Sequence, residues 1–200
     1  MEIIVRPTTV EDAAALVEVY SQPKAQRETL QLPKPSLAMW VERLSNMPAG
    51  VYSYVAEIDG KVVGNIGFHH SQRPRTAHTA AFGIGVHDQF HGLGVGSKLI
   101  ETTTELADNW LNVRRIQLEV NADNEAAIGL YKKHGFEIEG EAIDASFRDG
   151  EFINTYYMAR IRPSKNKEKP PTSWRLFFFK LRLTFVSKPT LCESMLLCRD

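Results

Sequence analysis

Residues 86–97, Val-His-Asp-Gln-Phe-His-Gly-Leu-Gly-Val-Gly-Ser, decide the fold. The apolar run 82–86 leads into this stretch and the amphipathic segment 99–110 follows it, so the order is strand, glycine-rich turn and helix. Glycines at alternate positions remove side chains from the start of a helix, where backbone N–H groups lack partners and the helix dipole is positive. The stretch therefore predicts a phosphate-binding turn.

Two common phosphate-binding motifs fit this turn poorly. A P-loop requires Gly-x-x-x-x-Gly-Lys-Ser/Thr, whereas Ser97 precedes Lys98 here and His91 stands at the first glycine position. A dinucleotide-binding fingerprint requires Gly-x-Gly-x-x-Gly, and Ser97 replaces its third glycine. The turn also follows a predicted hairpin, and too little chain remains for a second nucleotide-binding half. A nucleoside triphosphate or a dinucleotide is therefore disfavoured.

The composition limits the function classes. The chain has 200 residues, 43% hydrophobic and 24% charged, with a formal net charge of zero, which is typical of a globular domain. Neutrality argues against a dedicated nucleic-acid-binding protein. No apolar run approaches the roughly 18 residues of a membrane span, and the start of the chain does not resemble a signal peptide.

The C-terminal part of the chain has a different composition. From Pro163 onward it holds eight Lys/Arg and three Asp/Glu, which leaves residues 1–162 with 16 basic and 21 acidic residues, a net charge of −5. We predict a domain over 1–162 and a basic, apolar tail over 163–200, either weakly ordered or binding a membrane surface or a partner. Both cysteines, Cys192 and Cys198, lie in the tail, so a body without disulfides fits a cytoplasmic protein.

Hydrophobic patterns predict the secondary structure of the body. Thr8-x-x-Glu11 is a capping box that opens a helix, and Asp59-Gly60 predicts a β-hairpin. Prolines 23, 33 and 35 predict a loop. The predicted strands are 3–5, 52–58, 61–68, 77–86, 116–120, 136–141 and 152–161, and the helices are 13–20, 36–46, 96–110 and 124–134. The order β-α-α-β-β-β-α-β-α-β-β predicts an α/β (α+β) fold with one mixed sheet of six or seven strands flanked by helices.

A third phosphate-binding pattern, Gln/Arg-x-x-Gly-x-Gly/Ala, is present over residues 89–94. It resembles the pyrophosphate-binding pattern of the GNAT superfamily of N-acyltransferases. Residues 124–136, Asn-Glu-Ala-Ala-Ile-Gly-Leu-Tyr-Lys-Lys-His-Gly-Phe, resemble the same family's downstream segment. Within the superfamily, the chain resembles the bacterial L-amino-acid N-acetyltransferases of the YhhY type in residues 35–44, 73–78, 108–111, 131–140 and 156–160. The resemblance covers about residues 2–161.

The resemblance implies an N-acetyltransferase that uses acetyl-CoA and no metal, with direct attack of an amine on the acetyl thioester in a ternary complex. It implies a pyrophosphate site in the amides of residues 91–97 and carbonyl-polarising N–H groups near Val86. The strand that ends there is expected to splay from residues 116–120, with room left by Gly83 and Gly85. The predicted cofactor-binding residues are Ile84, Gly85, Val86, Gln89, His91, Gly92, Leu93, Gly94, Val95, Gly96, Ser97, Asn124 and Tyr131.

His91 departs from the family pattern. Many family members have Arg immediately before the first glycine of the turn, whereas this chain has His91. The change removes a fixed cation near the pyrophosphate, so it is expected to affect cofactor affinity.

The reaction requires two proton transfers. By resemblance, Tyr131 is the catalytic residue that protonates the leaving thiolate, and packing of its helix on the sheet is its alternative role. A phenol with a pKa of about 10 gives modest help to a thiolate whose acid has a pKa of about 8.5. The amine must be neutral, and Glu119, Asp123 and His78 are the candidate bases. His69 and His70 are adjacent on a strand and face opposite sides, so we expect surface residues there and no shared metal.

The acceptor pocket is predicted less directly. Leu30, Met39 and Trp40 are candidates for its wall, with His78 and Glu119 as further substrate contacts; core packing is the alternative role of Trp40. An apolar pocket favours a hydrophobic L-amino acid that is acetylated on its α-amine. The alternatives are a protein N-terminus, a polyamine, or a non-catalytic acyl-CoA sensor. We expect a small-molecule amine as partner, no nucleic acid, and possible homodimerisation.

Overall fold

A computed structural model describes residues 2–163 of the chain. A seven-stranded mixed sheet with the strand order β1-β2-β3-β4-β5-β7-β6 organises this part and confirms the predicted fold class. Residues 164–200, which make up nearly all of the predicted tail, lie outside the described residues, and the domain boundary stays a prediction. The strands are β1 Ile4–Pro7, β2 Val51–Ile58, β3 Lys61–His70, β4 Thr79–Val86, β5 Arg115–Asn121, β6 Glu137–Arg148 and β7 Glu151–Ile161. The helices are α1 Ala13–Tyr20, α2 Pro23–Glu28, α3 Leu37–Ser45, α4 Val95–Asn109 and α5 Glu125–Lys133.

Helix α2 corrects the prediction of a loop at Pro23, whereas the residues around Pro33 and Pro35 form a loop as predicted. Pro23 occupies the first turn of this short helix, where a missing N–H costs nothing. The carboxylate of Asp88 accepts hydrogen bonds from the amides of Lys24, at 3.0 Å, and Ala25, at 3.3 Å. Because the capping carboxylate lies more than sixty residues downstream, the local sequence gave no sign of it.

Strands β4 and β5, in the middle of the sheet, pair with each other over only part of their length. The predicted hairpin at Asp59-Gly60 is confirmed by the pairing of Ile58 with Lys61. Strand β4 is antiparallel to β3 along its whole length. It is parallel to β5 only over residues 79–81, which pair with residues 115–117. Beyond these pairs the two strands diverge, as the resemblance implied, and the gap between them faces a cleft.

Helices cover both faces of the sheet. One hydrophobic cluster includes Ala56 and Val63 with residues of α4 and α5, and the other includes Val55 and Val62 with residues of α1 and α3. Neighbouring residues of a strand point to opposite faces, so the two clusters lie on opposite sides of the sheet. Within residues 2–163, no helix is long and apolar enough to cross a membrane.

Candidate active site

The glycine turn leads from β4 into α4 and exposes a run of backbone amides. Gly92 and Gly94 adopt positive φ angles of 76° and 90°, which L side chains rarely adopt, and a Cβ at Gly92 would contact no other atom. Lys98 makes the first hydrogen bond of the helix, with its amide donating to Gly94 O at 3.0 Å. Within the described part of the chain, the amides of residues 92–97 have no acceptor. Such a run at a helix N-terminus fits a diphosphate.

The predicted run of amides starts one residue too early. The amide of His91 donates to Asp88 O at 3.4 Å, and that of Gln89 donates to His87 Nδ1 at 3.3 Å. Both amides therefore donate to acceptors within the turn itself. The ring of His91 folds back toward β4, where its Nε2 donates to Val86 O at 3.0 Å.

Gly96 and Ser97 bring helix α5 to the turn. A Cβ on Gly96 would lie 2.9 Å from Leu130 Cδ2, so the missing side chain allows α5 to pack closely on α4. At the end of α5, Lys133 Nζ lies 3.4 Å from Ser97 Oγ. This lysine places a cation beside the turn, a contact that sequence reasoning missed because it depends on how two helices pack.

The free edge of β4 presents two further amides. The amide of His87 donates to Val63 O at 2.8 Å, toward β3. Because amide direction alternates along a strand, the amides of Ile84 and Val86 point to the other edge, toward the gap between β4 and β5. These are the N–H groups that the resemblance implied at the end of this strand.

The two glycines of β4 have different surroundings. A Cβ at Gly83 would contact no atom within 4 Å, so this position leaves room as predicted. A Cβ at Gly85 would lie 2.6 Å from the ring of Tyr20, so the space there is filled by protein. The prediction that Gly85 makes room for a ligand is therefore wrong; it makes room for Tyr20.

A cleft of about 840 Å³ adjoins the gap between β4 and β5. The predicted residues that line it are Leu30, Trp40, Ile84, Glu119 and Tyr131. His78 is not among the residues that line this cleft, and its role as a substrate contact or base stays a prediction. Its carbonyl oxygen accepts hydrogen bonds from the amides of Arg114 and Arg115, at 2.8 and 3.1 Å, where β5 begins.

Tyr131 lies on the cleft wall with its ring in the core. It is 7% exposed and packs edge-on against Phe82, with ring centroids 5.9 Å apart. Burial raises the pKa of the Tyr131 phenol above its usual range, with Tyr20 as a smaller cause. The phenol therefore stays protonated, and its hydroxyl makes no hydrogen bond to any of residues 2–163.

The candidate bases have different partners. Asp123 is ion-paired with Arg148. Glu119 is exposed on the cleft wall and has no ion-pair partner among the described residues. His69 is exposed, as predicted for a surface residue, and it also lines the cleft, on the same face of β3 as Asn65 and Gly67. Burial lowers the pKa of His69, and the positive charge of Arg43 lowers it further.

An aromatic stack forms the wall opposite β5. Trp40 is 3% exposed and stacks on Tyr20 with ring centroids 5.0 Å apart, so it is a core residue and a wall residue at once. The guanidinium carbon of Arg43 lies 5.0 Å from the centre of the Trp40 ring. Tyr20 donates from its hydroxyl to Asn65 Oδ1 at 3.1 Å, which fixes the inner end of the stack. Leu30, by contrast, is 74% exposed at the rim.

Asn124 caps helix α5 as predicted, since its side chain accepts a hydrogen bond from the amide of Ala127 at 3.0 Å. Its contact with a cofactor stays a prediction. In the described range 2–163, no group of three or more His, Cys, Asp or Glu side chains is arranged to hold a metal ion.

This geometry agrees with the comparisons with known proteins. The sequence pattern of the acetyltransferase (GNAT) family matches residues 15–136. The chain belongs to the GNAT acetyltransferase family. The L-amino acid N-acetyltransferase AaaT of Escherichia coli (strain K12) is 45% identical over 161 residues, which cover 80% of this chain and 99% of that protein. An N-alpha-acetyltransferase of Sulfurisphaera tokodaii is 34% identical over 130 residues, covering 60% of this GNAT chain and 74% of the relative.

Solved structures of GNAT acetyltransferases are similar to this chain. A GNAT-family acetyltransferase of Streptococcus pneumoniae superposes with a TM-score of 0.71 at 27% identity, covering 81% of this chain and all of the other. A GNAT phosphinothricin acetyltransferase of Sinorhizobium meliloti, solved with AcCoA, superposes with a TM-score of 0.71 over 83% of this chain and 95% of its own. Its 21% identity shows the fold alone. The GNAT chain described here is an N-acetyltransferase with acetyl-CoA as its co-substrate.

Proposed function

We propose that this acetyltransferase transfers the acetyl group of acetyl-CoA to the α-amine of a free hydrophobic L-amino acid. The observation that carries the proposal is the cleft of about 840 Å³, which joins the free edge of β4 to a wall built on Trp40 and Leu30. An apolar wall next to the acetyl-transfer edge suits an amino acid with an apolar side chain. The name of the E. coli relative, which acts on L-amino acids, supports the same acceptor class.

Backbone groups hold acetyl-CoA in this proposal. The co-substrate supplies an activated acetyl thioester. The amides of residues 92–97 bind its diphosphate, and the amides of Ile84 and Val86 donate to the acetyl carbonyl oxygen. Gln89, His91 and Asn124 stay predicted contacts of this co-substrate.

Two side chains assist the proton transfers of the reaction. Glu119, which has no ion-pair partner among the described residues, accepts a proton from the acceptor ammonium. Tyr131 donates a hydrogen bond to the departing sulfur from a phenol that remains protonated. Because its pKa is raised, Tyr131 assists more by hydrogen bonding than by complete proton transfer. The attack is direct and takes place in a ternary complex.

Two predictions about the cell biology accompany the proposal. A body without cysteine fits the cytoplasm, where thiols stay reduced. Homodimerisation is the second prediction, and size-exclusion chromatography with light scattering measures it.

The test is CoA thiol release by the full chain with acetyl-CoA and separate acceptors. The acceptors are the twenty L-amino acids, spermidine, and a peptide with a free N-terminus, and mass spectrometry locates the added acetyl group. The proposal predicts saturable thiol release with apolar L-amino acids and acetylation of their α-amines. Release only with the peptide or only with spermidine contradicts the acceptor class. Binding of acetyl-CoA with no release for any amine supports a non-catalytic acyl-CoA sensor instead.

A further inference from the structure

The charged residues of the cleft wall are paired, with two exceptions. The pairs are Arg115 with Glu139, and Glu28 with Arg148 at 3.4 Å. Arg43 and Glu119 are the remaining charged residues of this wall, and neither has an ion-pair partner within residues 2–163. Among the described residues, the cleft thus offers one cation and one anion without an ion-pair partner.

Arg43 is held in place by two neutral side chains. Its guanidinium lies over the Trp40 ring, and its Nη1 donates to Gln31 Oε1 at 3.4 Å, a neutral acceptor. Trp40 is in turn fixed by stacking on the buried Tyr20. A guanidinium stacked on an aromatic ring keeps its outer N–H groups available for a carboxylate, which matches their planar geometry.

In the described part of the chain, the same wall holds no second cation without an ion-pair partner. Among residues 2–163, Trp40 Nε1 is buried without an acceptor. His69 also lines the cleft near Arg43, and its lowered pKa keeps the imidazole neutral near pH 7. Of the residues that the structure describes, Arg43 is therefore the cation available to an anionic ligand group in this cleft.

We propose that Arg43 binds the α-carboxylate of the acceptor while Glu119 faces its α-ammonium, so that the cleft selects a zwitterion. The inference rests on the proposed function and extends it to the specificity-determining residue. The two unpaired, opposite charges among the described residues of this cleft correspond to the two opposite charges of an α-amino acid. An amine without a carboxylate leaves the Arg43 guanidinium without a partner, and a polyamine adds positive charges next to it.

The experiment compares two acceptors that differ only at the carboxyl group. L-phenylalanine and L-phenylalaninamide are assayed by CoA thiol release, with the full chain and with Arg43→Gln, Arg43→Lys and Arg75→Gln. Arg75 is exposed and does not line the cleft, so it controls for the loss of a positive charge. Circular dichroism and thermal melting establish that each variant is folded.

Arg43→Gln is expected to lower the ratio of kcat/KM for L-phenylalanine to that for the amide by roughly 10- to 100-fold, the range of a charge-assisted hydrogen bond. Arg43→Lys is expected to recover part of this ratio, and Arg75→Gln to leave it unchanged. An unchanged ratio in folded Arg43→Gln, or an equal loss for both acceptors, overturns the inference while the proposed function stands. Failure of the wild-type chain to acetylate any free amino acid contradicts the proposed function itself.

Discussion

The two sides of the cleft are built in different ways. The cofactor wall, which we define as the free edge of β4 and the glycine turn through Ser97, consists of backbone amides from one continuous segment. The acceptor wall, which we define as Tyr20, Trp40, Arg43, His69 and Glu119, consists of side chains from α1, α3, β3 and β5. Backbone groups keep their chemistry when side chains change, whereas a single substitution alters the acceptor wall. Under the proposed function, backbone groups therefore hold the co-substrate, whereas side chains select the acceptor.

The largest effect is expected on the acceptor wall, from Glu119→Gln. The variant removes the proposed proton acceptor, so kcat/KM for an L-amino acid should fall by about 100-fold or more near neutral pH. The loss should shrink as pH rises, because a larger share of the α-amine is already deprotonated. Initial rates of thiol release from neutral to alkaline pH measure both features.

His69→Gln provides the comparison for Glu119→Gln. If His69 were the base, its variant would show the large pH-dependent loss and Glu119→Gln would retain nearly full activity. That outcome would identify His69 on β3 as the base and overturn the proposed role of Glu119 on β5.

On the cofactor wall, Gly94→Ala is expected to raise the KM for acetyl-CoA by about tenfold, because a side chain at a φ of 90° strains the turn by roughly 1–2 kcal/mol. Gly60→Ala is the matched control. Gly60 has a similar φ of 77° and open space around it, but it lies in the β2–β3 turn. Both variants should lose similar thermal stability, and only Gly94→Ala should lose affinity for acetyl-CoA. An equal KM for the two variants would mean that the amides of the turn do not bind the co-substrate.

Tyr131→Phe is expected to have a smaller effect, a decrease of about three- to tenfold in kcat. The buried phenol is a weak acid whose pKa is raised, so it contributes one hydrogen bond rather than a full proton. The sign of the shift means that the phenol stays protonated above its usual pKa, so kcat should show no decline from Tyr131 up to about pH 10. Full activity of Tyr131→Phe would leave only the packing role that Phe82 and Phe136 already suggest.

The smallest effect is expected from Lys133→Gln. This variant should raise the KM for acetyl-CoA by roughly two- to fivefold, and the increase should disappear at high salt. Lys133 reaches Ser97 at the turn, while the preceding residue, Lys132, makes no such contact within the described part of the chain. Lys132→Gln is therefore the control, measured at low and high ionic strength. Equal effects of the two variants would show that only the general charge of α5 matters.

The sequence predicted the cofactor wall far better than the acceptor wall. The glycine turn, the strand before it and the helix after it are contiguous, so spacing alone located them. The register of β4 then fixed which amides face the gap. What spacing missed was the use of the Gln89 and His91 amides inside the turn, because that depends on partners within the loop.

Contacts between residues that are far apart in the sequence explain why parts of the acceptor wall could not be predicted. Gly85 fits the ring of Tyr20, a residue more than sixty positions away, and the ring of Trp40 lies on Tyr20 in turn. His69 was set aside because two adjacent histidines face opposite sides, yet that same alternation puts one of them on the cleft. His78 was an attractive base by residue type alone, and the structure leaves it away from the cleft wall.

The most direct test of whether each wall binds a different substrate is a set of initial rates in which both substrates are varied. Acetyl-CoA and L-phenylalanine are varied together for the wild-type chain, Gly94→Ala and Arg43→Gln. Gly94→Ala is expected to raise the KM for acetyl-CoA alone, and Arg43→Gln is expected to raise the KM for L-phenylalanine alone. A parallel rise of both KM values in either variant would contradict this expectation, since the two walls would then act as one site.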